Sequence, residues 1–311
     1  MAAPTRSLLV CGGSGFLGSR ICQLAAARNW TVTSLSRSGE PSAWADGPPA
    51  PGGGSRRPDW ADRVAWLKGD VMNPETYRGA LEGVDAVVHS LGILLEADYK
   101  GVLAGRESVV AGLRRAFDSA RHTADNTVRT GNPQLTYETM NRDTGMPLLR
   151  ACGRVMLTAG GGGGGLAAVT LAEEAVSKKK GASTFLYVSA IDSFAALPAR
   201  YITTKREAEE LIARIGEGSG MRTVSLRPSF LYDSSRALTI PLAGVLGAVS
   251  AVNGLLGHRL PFLGAAGYRP LAVDSVAAAA VKALEDNSVC GPVDVDGIRA
   301  LSTRLWREGM L

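Results

Sequence analysis

Apolar and polar positions follow two periods along this chain. Short apolar runs of strand length, bounded by Gly, Pro or Asp, alternate with stretches that have helical spacing. In the first third, the predicted strands are 7–11, Thr31 to Ser36, Val64 to Leu67 and Ala86 to His89, and the predicted helices are about 15–28 and 74–82. Strands that alternate with helices indicate an α/β fold, a Rossmann-type doubly wound parallel sheet with helices on both faces.

The same alternation returns later in the chain. Predicted strands are Phe185 to Val188 and Thr223 to Leu226, and predicted helices are about 135–157, 167–179, Tyr201 to Ile215 and Val273 to Leu284. Stretches at about 38–60 and 159–166, rich in Gly or Pro, predict flexible surface insertions. We expect a nucleotide-binding domain over 1–227 and a small C-terminal substrate or lid region over 228–311, packed on the same domain.

No charged residue occurs between Ala237 and Gly257. The stretch has the length of a membrane span, but Pro241 and several glycines interrupt it. A buried helix pair near the substrate is therefore favoured over a span, and a peripheral contact with a membrane is left open.

Composition describes an ordinary globular protein. Of 311 residues, 45% are hydrophobic and 20% are charged, and the net charge of +5 is spread among interspersed acids, so no nucleic-acid-binding face is predicted. Cys11 and Cys22 fall on predicted core faces, and the four cysteines show no paired spacing. Reduced structural thiols are expected, with neither disulfide nor metal.

Three glycines spaced three apart follow the first strand. Gly12 permits the turn, Gly15 allows backbone to approach a pyrophosphate, and Gly18 allows close packing of the helix whose N-terminus faces the phosphates. A glycine turn without any ligand is the alternative for this motif alone. The residues predicted to contact a nucleotide here are Gly12, Gly13, Ser14, Gly15, Phe16, Leu17 and Gly18.

Tyr201 precedes Lys205 by four residues on one predicted helix, so both side chains share a face. A tyrosine titrates near 10, and a neighbouring lysine cation would favour its phenolate for acid/base catalysis. Lys205 could also bond the nicotinamide ribose. Ser189, at the end of the preceding strand, could orient a substrate carbonyl or hydroxyl. Singly, each residue has a structural explanation; their order behind a glycine turn favours a catalytic set.

The end of the second strand bears on the choice of cofactor. Ser36 and Arg37 stand where NAD-binding proteins usually carry an acid, so Arg37 could pair with a 2′-phosphate and NADP(H) is preferred. In the alternative, Arg37 is a surface residue and Glu40 serves NAD(H). Further contacts are predicted after the third, fourth and sixth strands, at Asp70, Val71, Ser90, Leu91, Gly92 and Pro228.

Together these residues resemble the short-chain dehydrogenase/reductase superfamily, in its extended or atypical branch, from Leu8 to about Leu284. The motifs at 12–18, 187–190, 201–209 and 227–229 are similar to those of the NAD(P)-binding accessory subunit of respiratory complex I and its relatives. The segments at 89–96 and 137–141 resemble a fungal mitochondrial family of this type that is associated with coenzyme Q biosynthesis. Asp233 departs from the pattern, since relatives often have Gly at the position that follows Tyr232 here.

The resemblance implies a matrix-facing mitochondrial protein linked to a membrane-bound ubiquinone-synthesising assembly at the inner membrane. Four arginines precede the first acidic residue, Glu40, which is typical of a mitochondrial transit segment and equally of a phosphate-binding subdomain. Three functions are carried forward: an NADP(H)-dependent oxidoreductase on an apolar carbonyl or alcohol, a non-catalytic nucleotide-binding subunit, and a nucleotide-sugar epimerase or dehydratase.

Overall fold

A computed structural model describes residues 6–41, 44, 57–71, 73–91, 183–192, 199–233, 239–255 and 261–309. The helices predicted over 135–157 and 167–179, the insertion at 159–166 and Gly92 lie outside these residues.

Seven parallel strands form the main sheet, in the order β3-β2-β1-β4-β5-β6-β9. The strands are β1 (Ser7–Cys11), β2 (Thr31–Ser36), β3 (Val64–Lys68), β4 (Ala86–His89), β5 (Thr184–Val188), β6 (Arg222–Leu226) and β9 (Gly291–Val293). Two short parallel strands, β7 (Leu231–Tyr232) and β8 (Leu271–Ala272), pair separately. Strand order reverses between β1 and β4, which confirms the predicted doubly wound sheet.

Helices cover both faces of this sheet. They are α1 (Phe16–Ala27), α2 (Arg78–Leu81), α3 (Ala199–Ser219), α5 (Val273–Glu285) and α6 (Val295–Glu308), whereas α4 (Thr239–Leu255) contacts the short strand β7. Because side chains alternate along β1, Leu8 and Val10 join the core under α1, α5 and α6, whereas Leu9 and Cys11 join the core under α2 and α3. Cys11 and Cys22 are buried, as predicted.

The predicted strands and the helices at 15–28, 201–215 and 273–284 are confirmed within one to four residues at their ends. The helix predicted over 74–82 is instead a 3₁₀ turn, Pro74–Thr76, followed by α2, because Tyr77 leaves helical geometry at ψ 2° and φ −139°. Strand β9 escaped prediction because it has three residues. Its proline is tolerated at the sheet edge, where no partner needs its N–H.

Residues 239–255 form one continuous helix, α4, and much of its apolar surface is exposed. Ile240, Val245 and Leu255 are 49%, 63% and 89% exposed, so the expected buried helix pair is wrong. Pro241 lies in the first turn, where a missing N–H costs no intrahelical bond, and Gly244, Gly247 and Gly254 are helical. Among the described helices, none has both the length and the apolar character needed to cross a membrane.

Two glycines of α3 should respond oppositely to alanine. A Cβ at Gly216 would lie 2.5 Å from Thr223 Cγ2 and 2.7 Å from the Met221 carbonyl oxygen, whereas a Cβ at Gly218 meets nothing within 4 Å. We expect Gly216→Ala to lower the free energy of unfolding by about 1–3 kcal/mol through overpacking. Gly218→Ala should raise it by up to about 1 kcal/mol by restricting the unfolded chain. Urea unfolding measures both, and equal effects would contradict the packing of α3 on β6.

Candidate functional site

The loops that follow β1, β2, β4, β5 and β6 meet at one edge of the sheet because all these strands are parallel. This edge includes the point where strand order reverses, the usual ligand site of open α/β sheets. Ser90 connects the two halves there, since its N–H and Oγ both donate to the Cys11 carbonyl, at 3.0 and 2.8 Å. The predicted site residues after β1 and β4 are therefore in contact.

Gly12 turns the chain at the end of β1 in a conformation that favours glycine. Its φ is +84°, its N–H donates to the Leu35 carbonyl at 2.9 Å, and a Cβ would lie 2.8 Å from Leu91 Cδ2. Gly13 is equally crowded, because its Cβ would lie 2.3 Å from Ser34 Oγ. The turn is therefore pressed against both β2 and the loop after β4.

Gly18 and Gly15 differ in what a side chain would meet. A Cβ at Gly18 would lie 2.1 Å from the Gly12 carbonyl oxygen, so only glycine lets α1 start on top of the turn. Gly15 is exposed, and its Cβ would meet only that same oxygen, at 3.0 Å. A side chain at Gly15 would project from the turn rather than into the core.

The N-terminus of α1 has no side-chain cap and no acidic residue in its first turn. Its N–H groups and the positive end of the helix dipole therefore suit an anion. Phe16 and Leu17 pack their side chains in or against the core, so only their main chain could contact a ligand. The crowded turn and the uncapped helix fit the pyrophosphate of a dinucleotide.

A tight turn follows β2 beside this glycine turn. Ser36 Oγ donates to the Gly39 carbonyl at 2.7 Å, and Ser38 Oγ lies 3.4 Å from Ser14 Oγ. Arg37 is exposed and forms no ion pair with the other described residues. Its positive charge is thus available to a phosphate group that binds at this turn.

The remaining cofactor candidates line the same edge. The Asp70 N–H bonds Thr76 Oγ1 at 3.0 Å, and Val71 is buried with its carbonyl accepting from the Tyr77 hydroxyl. Pro228 accepts from the Ile191 N–H at 2.9 Å, which joins the loops after β5 and β6. Val71 would therefore contribute main chain rather than side chain to a ligand.

Lys205 is buried at the end of β5. Its side chain is 3% exposed, Nζ donates to the Val188 carbonyl at 3.0 Å, and Nζ lies 4.9 Å from the centroid of the Tyr187 ring. Burial lowers the pKa of Lys205 to about 7, although the Glu209 carboxylate opposes the shift. A lysine with this pKa can hold or release a proton near neutral pH.

Ser189 directly follows the carbonyl that Lys205 binds, so the structure brings these two predicted residues together. Tyr201 lies in α3 one turn before Lys205, and its side chain is outside the described part of the chain. His89 was not predicted as part of this region. Its ring centroid is 5.5 Å from that of Tyr187, and burial, with a contribution from Lys205, lowers the pKa of His89 to about 3.

A second group missed by sequence reasoning surrounds Ser189. Arg206 Nη1 lies 3.4 Å from Ser189 Oγ, Arg206 Nη2 donates to the Ile191 carbonyl at 2.7 Å, and Arg206 Nη1 pairs with Glu209 at 2.6 Å. Arg227 Nε also pairs with Glu209, at 3.0 Å. The spacing of Arg206 and Glu209, three residues apart on one helix, was the available signal for this pair.

Asp233, which departs from the family pattern, and the thiol of Cys22 are both buried. Asp233 is 5% exposed and accepts from Arg20 Nη2 at 3.1 Å, so its carboxylate has a structural partner in α1. Burial raises the pKa of the Cys22 thiol to about 12, which keeps it protonated and unreactive.

Comparison with known proteins gives the same fold. The sequence model of the NAD dependent epimerase/dehydratase family matches residues 8–103. MIOREX complex component 2 of Saccharomyces cerevisiae is 28% identical over 297 residues, which cover 94% of this chain and 98% of the yeast protein.

Solved structures are similar at low identity. UDP-glucose 4-epimerase of Thermus thermophilus, solved with NAD, has a TM-score of 0.50 and 18% identity, covering 97% of this chain and 82% of that one. A tyrosine variant of UDP-glucuronic acid 4-epimerase from Bacillus cereus has a TM-score of 0.51 and 15% identity, covering 93% of this chain and 77% of that one. At this identity the likeness shows the fold alone. The sheet order, the family match and the yeast relative together confirm the predicted resemblance to an atypical, extended short-chain dehydrogenase/reductase.

Proposed function

We propose that this chain is a mitochondrial NAD(P)-binding oxidoreductase that prefers NADP(H) and acts on an apolar carbonyl or alcohol in support of ubiquinone synthesis. The observation that carries the proposal is the burial of the Lys205 side chain. This side chain is buried against the last carbonyl before Ser189, at the same sheet edge as a glycine turn in which Gly12, Gly13 and Gly18 leave no room for side chains.

The described residues fit a dinucleotide. The first-turn N–H groups of α1 would hold the pyrophosphate, Arg37 and Ser38 the 2′-phosphate, and Lys205 the nicotinamide ribose. Held by these residues, a nicotinamide cofactor would supply or accept a hydride. The match to an NAD dependent family and the NAD bound in the Thermus epimerase support a nicotinamide cofactor, and the exposed Arg37 supports the phosphorylated form.

Proton transfer falls to residues of the chain. Tyr201 would exchange a proton with the substrate oxygen, and Ser189 would orient that oxygen. When protonated, Lys205 would favour the tyrosinate, and its pKa of about 7 lets it pass a proton onward at neutral pH. Arg206, within 3.4 Å of Ser189 Oγ, would hold the serine hydroxyl in place.

The surface of α4 supports an apolar substrate or setting. This helix has no charged residue, and Ile240, Val245 and Leu255 are exposed. Such a surface suits a prenylated compound or a peripheral contact with the matrix side of the inner membrane. The same uncharged surface disfavours a sugar diphosphate, which needs polar partners, so an epimerase or dehydratase activity ranks third.

A non-catalytic nucleotide-binding subunit of the ubiquinone-synthesis assembly is the second candidate. It is favoured by the name of the yeast relative, which describes a component of a complex. In that role the bound nucleotide would stabilise the fold by mass action rather than turn over.

Nucleotide binding is the first test. We expect the purified chain to bind NADPH more tightly than NADH, and Gly15→Val to weaken both by at least about tenfold because the valine projects toward the pyrophosphate. Nicotinamide fluorescence titration measures both, and circular dichroism checks that the variant folds. Gly218→Val, at the C-terminal end of α3, is the matched control and should bind as wild type does. Wild-type protein that binds neither nucleotide would overturn the proposal.

Tyr201→Phe separates catalysis from a structural role. In the catalytic proposal this variant retains NADPH binding but loses about 10²-fold or more in NADPH oxidation with prenylated quinones or ketones, because the proton donor is gone. Tyr268→Phe, at an exposed tyrosine, should retain the rate. In cells, ubiquinone content should then fall with both Gly15→Val and Tyr201→Phe. A fall with Gly15→Val alone would favour the non-catalytic subunit.

Burial of Lys205 predicts a pH-dependent stability. Between its folded pKa of about 7 and its ordinary value of 10.5, the unfolded chain binds a proton that the folded chain does not. Stability of the nucleotide-free protein should therefore rise with pH in this window, by up to about 1.4 kcal/mol per pH unit from this group. Lys205→Met should remove that slope in urea unfolding at pH 7, 8 and 9. Lys68→Met, at an exposed lysine, should retain it, and an unchanged slope in Lys205→Met would contradict the burial.

A further inference from the structure

We infer that Arg57 determines the preference for a 2′-phosphate by neutralising Glu40, the acid that directly follows the turn expected to read the adenosine ribose. The inference rests on the proposed function, because it concerns how the same nucleotide site chooses between NADP(H) and NAD(H).

The backbone places Glu40 beside that turn. Ser36 Oγ donates to the Gly39 carbonyl at 2.7 Å, the Gly39 N–H donates back to the Ser36 carbonyl at 3.2 Å, and Gly39 has a φ of +75°. The turn is therefore closed by two hydrogen bonds, and Glu40 follows it directly. Its carboxylate could bond a ribose 2′-hydroxyl if it were unengaged.

Arg57 engages that carboxylate with a fork of donors. Its Nε lies 3.2 Å from each oxygen of Glu40, and its Nη2 lies 3.1 Å from Oε1. On its other side, Nη1 pairs with Asp62 Oδ1, just before β3. The guanidinium thus bridges an acid next to the ribose turn and an acid on the neighbouring strand connection.

The consequence is electrostatic. A free Glu40 carboxylate would repel a phosphate bound at the adjoining turn, because salt screens charges incompletely at separations below the Debye length of about 8–10 Å. With Arg57 in place, Glu40 is compensated and the exposed charge of Arg37 dominates the turn. Arg57 acts through Glu40, so it is a positioning residue that sets selectivity rather than a catalytic one.

The test is the ratio of dissociation constants, NADH over NADPH, for four forms of the full chain. Arg57→Met should lower this ratio by about three- to tenfold, because the loss of one positive charge near the surface acts on the phosphate but not on the hydroxyl. Adding Glu40→Gln to Arg57→Met should restore the wild-type ratio. Arg214→Met, which removes an equal charge from the exposed far half of α3, should leave it unchanged.

If Arg57→Met also loosens the loop, the double variant still separates charge from structure. The double variant restores the net charge of the wild type without restoring the contact between residues 40 and 57. A ratio that falls equally in the single and double variants would overturn the inference, and so would a ratio unchanged by Arg57→Met. With either of these two results, the proposed function would still hold if the wild-type protein binds NADPH selectively. Wild type that binds neither nucleotide, or prefers NADH, overturns the inference together with the NADP(H) assignment.

Discussion

The close approach of Gly18 to the Gly12 carbonyl oxygen sets the geometry on which the rest of the site depends. A Cβ at residue 18 would lie 2.1 Å from that oxygen, so the first turn of α1 rests directly on the turn that ends β1. This contact aims the uncapped N-terminus of α1 at the carboxyl edge of the sheet. The same contact also sets the position of the rest of α1, whose buried residues pack against α5 in the core. Fold and candidate site therefore share one steric requirement.

Around Lys205, at the other end of the carboxyl edge of the sheet, the charge balance depends on how deeply the charged groups are buried. Among the described residues, Arg206 and Arg227 both pair with one buried carboxylate, Glu209, which also acts on Lys205, so positive groups outnumber the acids that the described ion pairs supply. The excess is tolerated because backbone carbonyls at Val188 and Ile191 accept from Lys205 and Arg206, and because desolvation lets Lys205 lose its proton near pH 7. The desolvation that makes Lys205 costly to bury is thus also what lets it exchange a proton near neutral pH.

Sequence periodicity predicted most of the described sheet because buried parallel strands are short, apolar and bounded by turn residues. It failed at residues 239–255, since an uncharged helical segment can equally pack in a core or lie at a surface, and α4 does the latter. The order of the motifs grouped Ser189 with Lys205 in one predicted site, and the structure brings the two residues close together. The motifs could not show that Glu40 pairs with Arg57 or that Arg206 reaches Ser189, because those contacts are set by loops and rotamers rather than by period.

Asp233 illustrates how a departure from a family pattern can have a structural cause. Where relatives often have glycine, this chain has a buried carboxylate that pairs with Arg20 of α1, and Arg20 Nε also lies 3.5 Å from Asp274 at the start of α5. Asp233 is the buried side of this pair, so losing Arg20 would leave a buried carboxylate without this partner, which opposes separation of the two residues. The link joins the helix that would face the pyrophosphate to the end of β7, next to the region after Pro228 assigned to the substrate. In the proposed oxidoreductase this link would help to hold the nucleotide and substrate sides of the site in one geometry, as hydride transfer between them would require.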